Sequence, residues 1–269
     1  MADSTPLPLH TFASFRDSRI AHGVTTRSGG VSVGPYASLN LGASVGDDQA
    51  AVMENRARLA TSLGYAPERL VTTPQVHGTD VLVVDAATAP TALSVRADIL
   101  VTNRPGFLLM QRYADCVPIL VWHPAAGAVA VAHAGWRGTA LGVARRTVEA
   151  LGELADGDVD GVWAAVGPSI GPCCFEVGTE VVAEFPEVDG AISAGPRGRP
   201  HLDLWELNRR GLVAAGVARE NVEVAGVCTR CNPETYFSHR ALGYPAGRFG
   251  AAIGLRDDGL PDADGRSDG

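Results

Sequence analysis

Apolar positions along this chain fall into short runs separated by Gly, Pro and charged residues. The runs at 107–110, 117–122 and 128–132 are continuously apolar rather than alternating, and the run at 99–102 is apolar up to Thr102. Such runs predict strands covered on both faces. Shorter β-rich runs at 20–26, 70–73, 81–84, 162–166, 222–227 and 249–255 complete the predicted strands. Helical spacing occurs in four places. Val52, Leu59 and Leu63 share one face of a helix that Asp47 or Asp48 can cap and Gly64 can end. Leu141, Ala144, Val148 and Leu151 form a stripe within 139–154, and 177–184 and 204–215 also read as helices. Several strands follow one another with little between them, so the order is not an alternation of strand and helix. The pattern predicts α+β architecture, a single domain of mixed β-sheets flanked by helices. Its boundaries read as an N-terminal arm over 1–19, a folded domain over 20–256 and a disordered acidic tail over 257–269.

Composition narrows the function classes. The chain has 269 residues, 46% hydrophobic and 19% charged, enough apolar material for a substantial core. No apolar run approaches the roughly 20 residues that span a bilayer, and the first residues carry neither a basic nor an apolar leader segment, so a cytoplasmic, non-membrane protein is expected. Net charge is −8, and the five Asp and one Arg of the tail hold −4 of it. Without a broad cationic face, nucleic acid is not an expected partner. All 22 basic residues are Arg. Lysine Schiff-base chemistry and a Walker A lysine are therefore excluded, and an anion must be met by Arg, backbone N–H or a metal.

Three loops combine strand ends, turn residues and reactive side chains: 73–80 with Gln75 and His77, 113–118 with Asp115 and Cys116, and 133–139 with His133 and Arg137. Two imidazoles and one thiolate suit Zn²⁺, and three protein ligands leave a fourth position for water or substrate. The ligands lie 39 and 17 residues apart, so no local spacing motif marks the site. Taken singly, each His also reads as a hydrogen-bonded loop residue and Cys116 as a small buried hydrophobe. The same residues admit a thiol reading, with Cys116 as nucleophile, His77 or His133 as its base, and Asp115 or Gln75 as orienter or oxyanion donor.

Arg27, before Gly29-Gly30, and Arg137, at a helix start, are the candidate anion contacts; each also reads as a structural tie. Cys173, Cys174, Cys228 and Cys231 offer one Cys-x-x-Cys and one adjacent pair, and read as structural thiols rather than ligands. Gly167–Gly171 fits Gly-x-Ser-x-Gly, but Pro168 and Pro172 oppose the sharp nucleophile elbow around Ser169.

The ordered set Thr26-Arg27-x-Gly29-Gly30-Val31-Ser32, Ser38-Leu39-Asn40-Leu41-Gly42, Gln75-Val76-His77-Gly78, Ala114-Asp115-Cys116-Val117-Pro118, His133-Ala134-Gly135-Trp136-Arg137-Gly138, Gly167-Pro168-x-Ile170-Gly171 and Phe237-Ser238-His239-Arg240 closely resembles the YfiH-like family. Its members are called purine nucleoside phosphorylases or polyphenol oxidase, laccase-domain proteins. The resemblance implies a single α+β domain related to cysteine-hydrolase toxins, with His77, Cys116 and His133 as metal ligands. It implies zinc, with copper as an alternative metal. The implied activities are phosphorolysis of adenosine, inosine and methylthioadenosine, and deamination of adenosine. On this basis Asp115 is the candidate proton shuttle, Arg27 and Arg137 the phosphate contacts, and Asn40 and Gln75 the sugar or base contacts. The implied partners are a purine nucleoside and phosphate, in a monomer or small homo-oligomer. Three alternatives stand beside this: a Cys116 amide hydrolase acting on a cell-wall precursor, a copper polyphenol oxidase, and a non-catalytic nucleoside- or metal-binding module. A multicopper oxidase draws on His-x-His pairs, and the seven His here form none.

Overall fold

Chain segments apolar on both faces need cover on both sides, and the fold supplies it by stacking two sheets between helices. In the computed structural model, residues 7–186, 189–196 and 198–257 are described. The chain opens with β1 (Leu9–His10), β2 (Ile20–Thr25) and α1 (Gln49–Ser62). There follow β3 (Leu70–Val71), β4 (Val81–Val83), β5 (Ile99–Thr102), β6 (Leu108–Tyr113), β7 (Val117–His123) and β8 (Ala128–Ala134). The second half comprises α2 (Trp136–Ala140), α3 (Val143–Gly152), β9 (Trp163–Val166), α4 (Thr179–Val182), β10 (Ile192–Ala194) and β11 (Pro200–Leu202). It closes with α5 (Leu204–Ala214), β12 (Val222–Val224), α6 (His239–Leu242) and β13 (Phe249–Leu255).

One sheet has five strands in the order β1-β2-β13-β6-β3, antiparallel except for the parallel β6–β3 edge. The other has six, β12-β9-β7-β8-β5-β4, antiparallel in the middle and parallel at both edges. Between the sheets lie Leu109, Tyr113, Phe249 and Ile253 from one side, and Leu120, Trp122, Val129 and Val131 from the other. The opposite face of the six-stranded sheet, with Ile119, Val121, Ala130 and Ala132, packs on Val148 and Leu151 of α3 and Leu207 and Leu212 of α5. The outer face of the five-stranded sheet presents Leu108, Met110 and Ala252 to Leu59, Ala60 and Leu63 of or beside α1. Successive side chains of β6 and β7 thus alternate between two buried layers, which is why their sequences carry no polar alternation. Each fully buried aliphatic or aromatic side chain contributes about 1.5–3 kcal/mol.

The single α+β domain expected from the sequence is present. Residues 7–19, expected as an arm outside the domain, belong to it: β1 pairs with β2, and Phe12 and Phe15 are buried in the inter-sheet core. The helix expected over 139–154 starts at Trp136 and breaks at Gly142, whose φ of +81° no helix accommodates. The helix over 177–184 is a single turn, while β10, β11 and α6 carry too few residues to show a period. The acidic tail beyond Asp257 lies outside the described residues.

Candidate metal centre

Two connections carry the chain from the five-stranded sheet to the six-stranded one: the loop from β3 to β4 and the short turn from β6 to β7. His77 lies in the first and Cys116 in the second. His133 is the penultimate residue of β8, paired with Pro118 of β7. The crossings therefore bring together residues 39 and 17 positions apart. The three ligand atoms lie within 4.8 Å of one another. The His77 and His133 rings meet edge to face at 4.8 Å between centroids. His133 is buried, Cys116 half-buried and His77 exposed, so the cluster has a dry floor and an open side. Both crossing turns hold a non-glycine residue in the left-handed region, His77 at φ +62° and Asp115 at +88°. Such conformations cost of order 1–3 kcal/mol and persist only where surrounding bonds impose them.

Asp98, just before β5, imposes one of them. Its carboxylate is fully buried and accepts the backbone N–H groups of Val76 (2.9 Å), His77 (3.0 Å) and Gly78 (3.0 Å). It also lies 2.8 Å from His133 Nδ1. One side chain thus shapes the His77 loop and orients the His133 ring, leaving Nε2 of His133 for a ligand. A carboxylate behind a histidine is the usual outer partner of a metal-bound imidazole. Sequence reasoning missed Asp98; a lone acid leading a fully apolar strand was the available signal.

Electrostatics favour the ligating state of the thiol. Burial pushes the Cys116 thiol up, but His133 and His77 more than offset it and hold the thiol below its ordinary value. Burial likewise depresses the His133 imidazolium, and Cys116 and Asp98 outweigh that and raise it. The thiolate is the form that binds metal. The donor set therefore fits a tetrahedral N₂S site with one open position. Gly135 is part of the fit, because a Cβ there would lie 2.9 Å from His77 Cδ2 and 3.1 Å from Cys116 Sγ.

The remaining expected site residues fall in other places. Asp115, expected as a proton shuttle, has both carboxylate oxygens engaged by Thr229 Oγ1 (2.7 Å), Ser238 Oγ (2.6 Å) and the Arg240 N–H (2.6 Å). Those donors make it a tie between the Cys116 turn and the 229–240 loop. Arg27, expected on phosphate, donates to the carbonyls of Ala37 and Pro233 and stacks over Phe237, so it holds the Gly-rich loop. Asn40, expected on sugar or base, is fully buried, bonded to Gly42, Asp47 and the Arg248 N–H. Gln75 clasps Arg112 through the Arg112 carbonyl and Nε. Arg137 is exposed and lies over the Trp136 ring at 4.1 Å. Ser169 is fully buried and accepts from Trp205 Nε1 at 2.6 Å, so no nucleophile elbow exists there.

Half-buried and buried cations stand elsewhere. Burial lowers the guanidinium pKa of Arg248, and the charges of Cys116 and Asp115 oppose that. Arg112 is pushed down to about 10 by burial and by the neighbouring charges of Arg56 and Arg248. Guanidiniums that lower one another's pKa repel one another, and an anion among them relieves that repulsion. The sequence hid them because none precedes a glycine-rich turn.

A family model described as "Multi-copper polyphenol oxidoreductase laccase" matches residues 21–256, and the chain belongs to that family, the YfiH-like family its motifs resemble. The chain is 42% identical to "Purine nucleoside phosphorylase YlmD" of Geobacillus stearothermophilus over 88% of its length and 90% of the relative's. It is 39% identical to "Adenosine deaminase RL5" from an unknown prokaryotic organism, over 79% of this chain and 85% of the other. The crystal structure of YlmD from Geobacillus stearothermophilus superposes with a TM-score of 0.86 at 39% identity, covering 96% of this chain and 98% of that one. Among the described residues, no helix is long and apolar enough to cross a membrane.

Proposed function

We propose that this chain is a zinc-dependent purine nucleoside phosphorylase that cleaves adenosine, inosine and methylthioadenosine to base and sugar 1-phosphate, with adenosine deamination as a side activity. The observation that carries the reading is the meeting of His77, Cys116 and His133 where the chain crosses between sheets. The names of the relatives, phosphorylase and deaminase alike, support the substrate class. His77, Cys116 and His133 would hold the zinc, which would supply Lewis-acid chemistry to the bound substrate.

The chain's own residues account for the rest. In phosphorolysis an oxygen of hydrogen phosphate bonds to C1′ as the C1′–N9 bond breaks, and the electron pair leaves with the purine, which takes up the proton that the phosphate gives up. Arg248 and Arg112 hold the phosphate dianion through the N–H groups that they do not give to the carbonyls of Ala246, Gly247 and Thr73 or to Gln75, and the charge they supply is worth most where water is excluded. Gln75 fixes the Arg112 fork, and Asn40 fixes the backbone of Arg248. Asp98 keeps His133 in one orientation and the His77 loop in one shape. Asp115 positions the Cys116 turn.

One observation favours a second reading. Asp98, His133 and Cys116 stand in the order orienter, base and nucleophile, as in a cysteine amidase. Product analysis separates the two. Purified zinc-loaded protein is given adenosine with and without phosphate, and products are identified by mass spectrometry. Adenine and ribose 1-phosphate formed only with phosphate support phosphorolysis, and inosine supports deamination. No product from either mixture, together with turnover of an amide by metal-stripped protein, overturns the proposal in favour of the amidase.

A further inference from the structure

Cys173 and Cys174 follow β9 in a Gly/Pro-rich loop, and Cys228 and Cys231 lie in the loop after β12. The four sulfurs converge, all within 4.8 Å of one another. Cys231 Sγ is 3.4 Å from Cys174 Sγ and 3.7 Å from Cys173 Sγ. A disulfide needs about 2.05 Å between sulfurs, so these are separate thiols, and all five cysteines of the chain are free. Four thiolates at about 2.3 Å from one ion in a tetrahedron stand about 3.8 Å apart, which is the scale of the spacing here.

Two further contacts match a charged sulfur cage. The Gly171 N–H donates to Cys228 Sγ at 3.3 Å, and Arg230 Nη1 donates to Cys174 Sγ at 3.4 Å. N–H donors to ligating sulfur are the outer partners such sites use, and the guanidinium offsets the excess negative charge of four thiolates around a divalent ion. Gly171 itself admits no larger residue, since a Cβ would lie 2.6 Å from the Trp205 ring. The turn therefore brings its N–H to the sulfur only as glycine.

We infer that Cys173, Cys174, Cys228 and Cys231 form a second, structural metal site that takes one Zn²⁺ through four thiolates. On binding, each thiol loses its proton to solvent and its sulfur bonds to the ion; no electrons are transferred. With four protein ligands, no position remains for substrate, so the site is closed, unlike the first. Its effect is to clamp the 167–176 loop to the 226–232 loop. The clamp bears on the first site through Thr229, between two of the ligands, whose hydroxyl donates to Asp115 beside Cys116. The inference stands whether or not the first site is a phosphorylase centre, because its test reads metal rather than turnover.

The experiment is metal analysis with thiol counting on the full chain, purified anaerobically with zinc and passed over a chelating resin. Wild type is expected to retain two zinc ions per chain. Cys173→Ser and Cys231→Ser, both at exposed positions, should each retain one, and Cys116→Ser should retain one as well. Cobalt in the Cys116→Ser protein should give the charge-transfer and intense visible bands of a tetrahedral four-sulfur site, which a merely packed thiol cluster would not. Cobalt bands without four-sulfur character in that folded variant would overturn the inference. Unchanged zinc content in the folded Cys231→Ser protein, or a wild-type count short by two thiols with no metal bound, would overturn it too, the latter by showing a disulfide.

Discussion

At the scale of single residues, the chemistry rests on side chains that do not touch the ligand position. Asp98 is the clearest case, serving three backbone N–H groups and one imidazole with two oxygens. Asp98→Asn keeps the volume but replaces one acceptor oxygen by a donor. Metal affinity should fall about 10- to 100-fold with the fold retained, read by competition with a coloured chelator and by circular dichroism. Affinity equal to wild type would remove Asp98 from the metal's support. Arg248 makes a different demand. Arg248→Ala should raise the phosphate KM at least tenfold while adenosine deamination, which uses no phosphate, changes little. Equal losses in both reactions would assign Arg248 to the nucleoside or to structure. His77, Cys116 and His133 could be singled out as candidates from the sequence, because His and Cys in turn-rich loops announce their chemistry, and the structure brings their ligand atoms within 4.8 Å of one another. Asp98 was not, because a residue that acts by orienting another has no composition of its own, and Arg248 was not, because no turn or helix start beside it marks an anion contact.

At the scale of elements, the N-terminal segment is the instructive case. Phe12 and Phe15 reach the inter-sheet core, and the Phe12 N–H donates to His22 Nε2 at 3.0 Å. That bond needs neutral imidazole. Burial pushes His22 from its ordinary 6.5 down to about 4, with Glu223 opposing and His10 assisting. A histidine whose folded pKa is depressed contributes its stability fully above the unfolded value. Stability should therefore be lost between pH 6.5 and 4, by up to about 3 kcal/mol. Denaturant unfolding of wild type and His22→Gln across that window checks the sign. The glutamine variant keeps an acceptor without the titration, so its curve should be flatter; identical slopes would reject the assignment. Strand positions in the middle of the chain were legible because they are apolar on both faces. The two-residue β1 was not, since its partner β2 rather than its own composition makes it a strand.

At the scale of the molecule, the two sheets share one interior. Trp122 of β7 is fully buried there, among residues of both sheets. Trp122→Ala should destabilise the chain by about 3–5 kcal/mol and lower Tm by on the order of 10 °C in a single transition. Calorimetry is the measurement; two separated transitions would show that the sheets unfold independently. The same shared interior makes the candidate metal centre possible. Each crossing between sheets turns the chain at one end of the interior, and the ligands come from two crossings and one neighbouring strand end.

The sequence alone determined the α+β class, the positions of the long strands and α1, and the identity of three candidate ligands. These depend on local period and on residue chemistry, which a linear chain displays. Only the tertiary structure decided which polar residues face the cluster and which tie loops together. It alone assembled four cysteines from two distant loops, where spacing had pointed to separate thiols. Convergence of that kind depends on strand order and sheet crossings. Those are set by packing between segments far apart in the chain, so no local pattern records them.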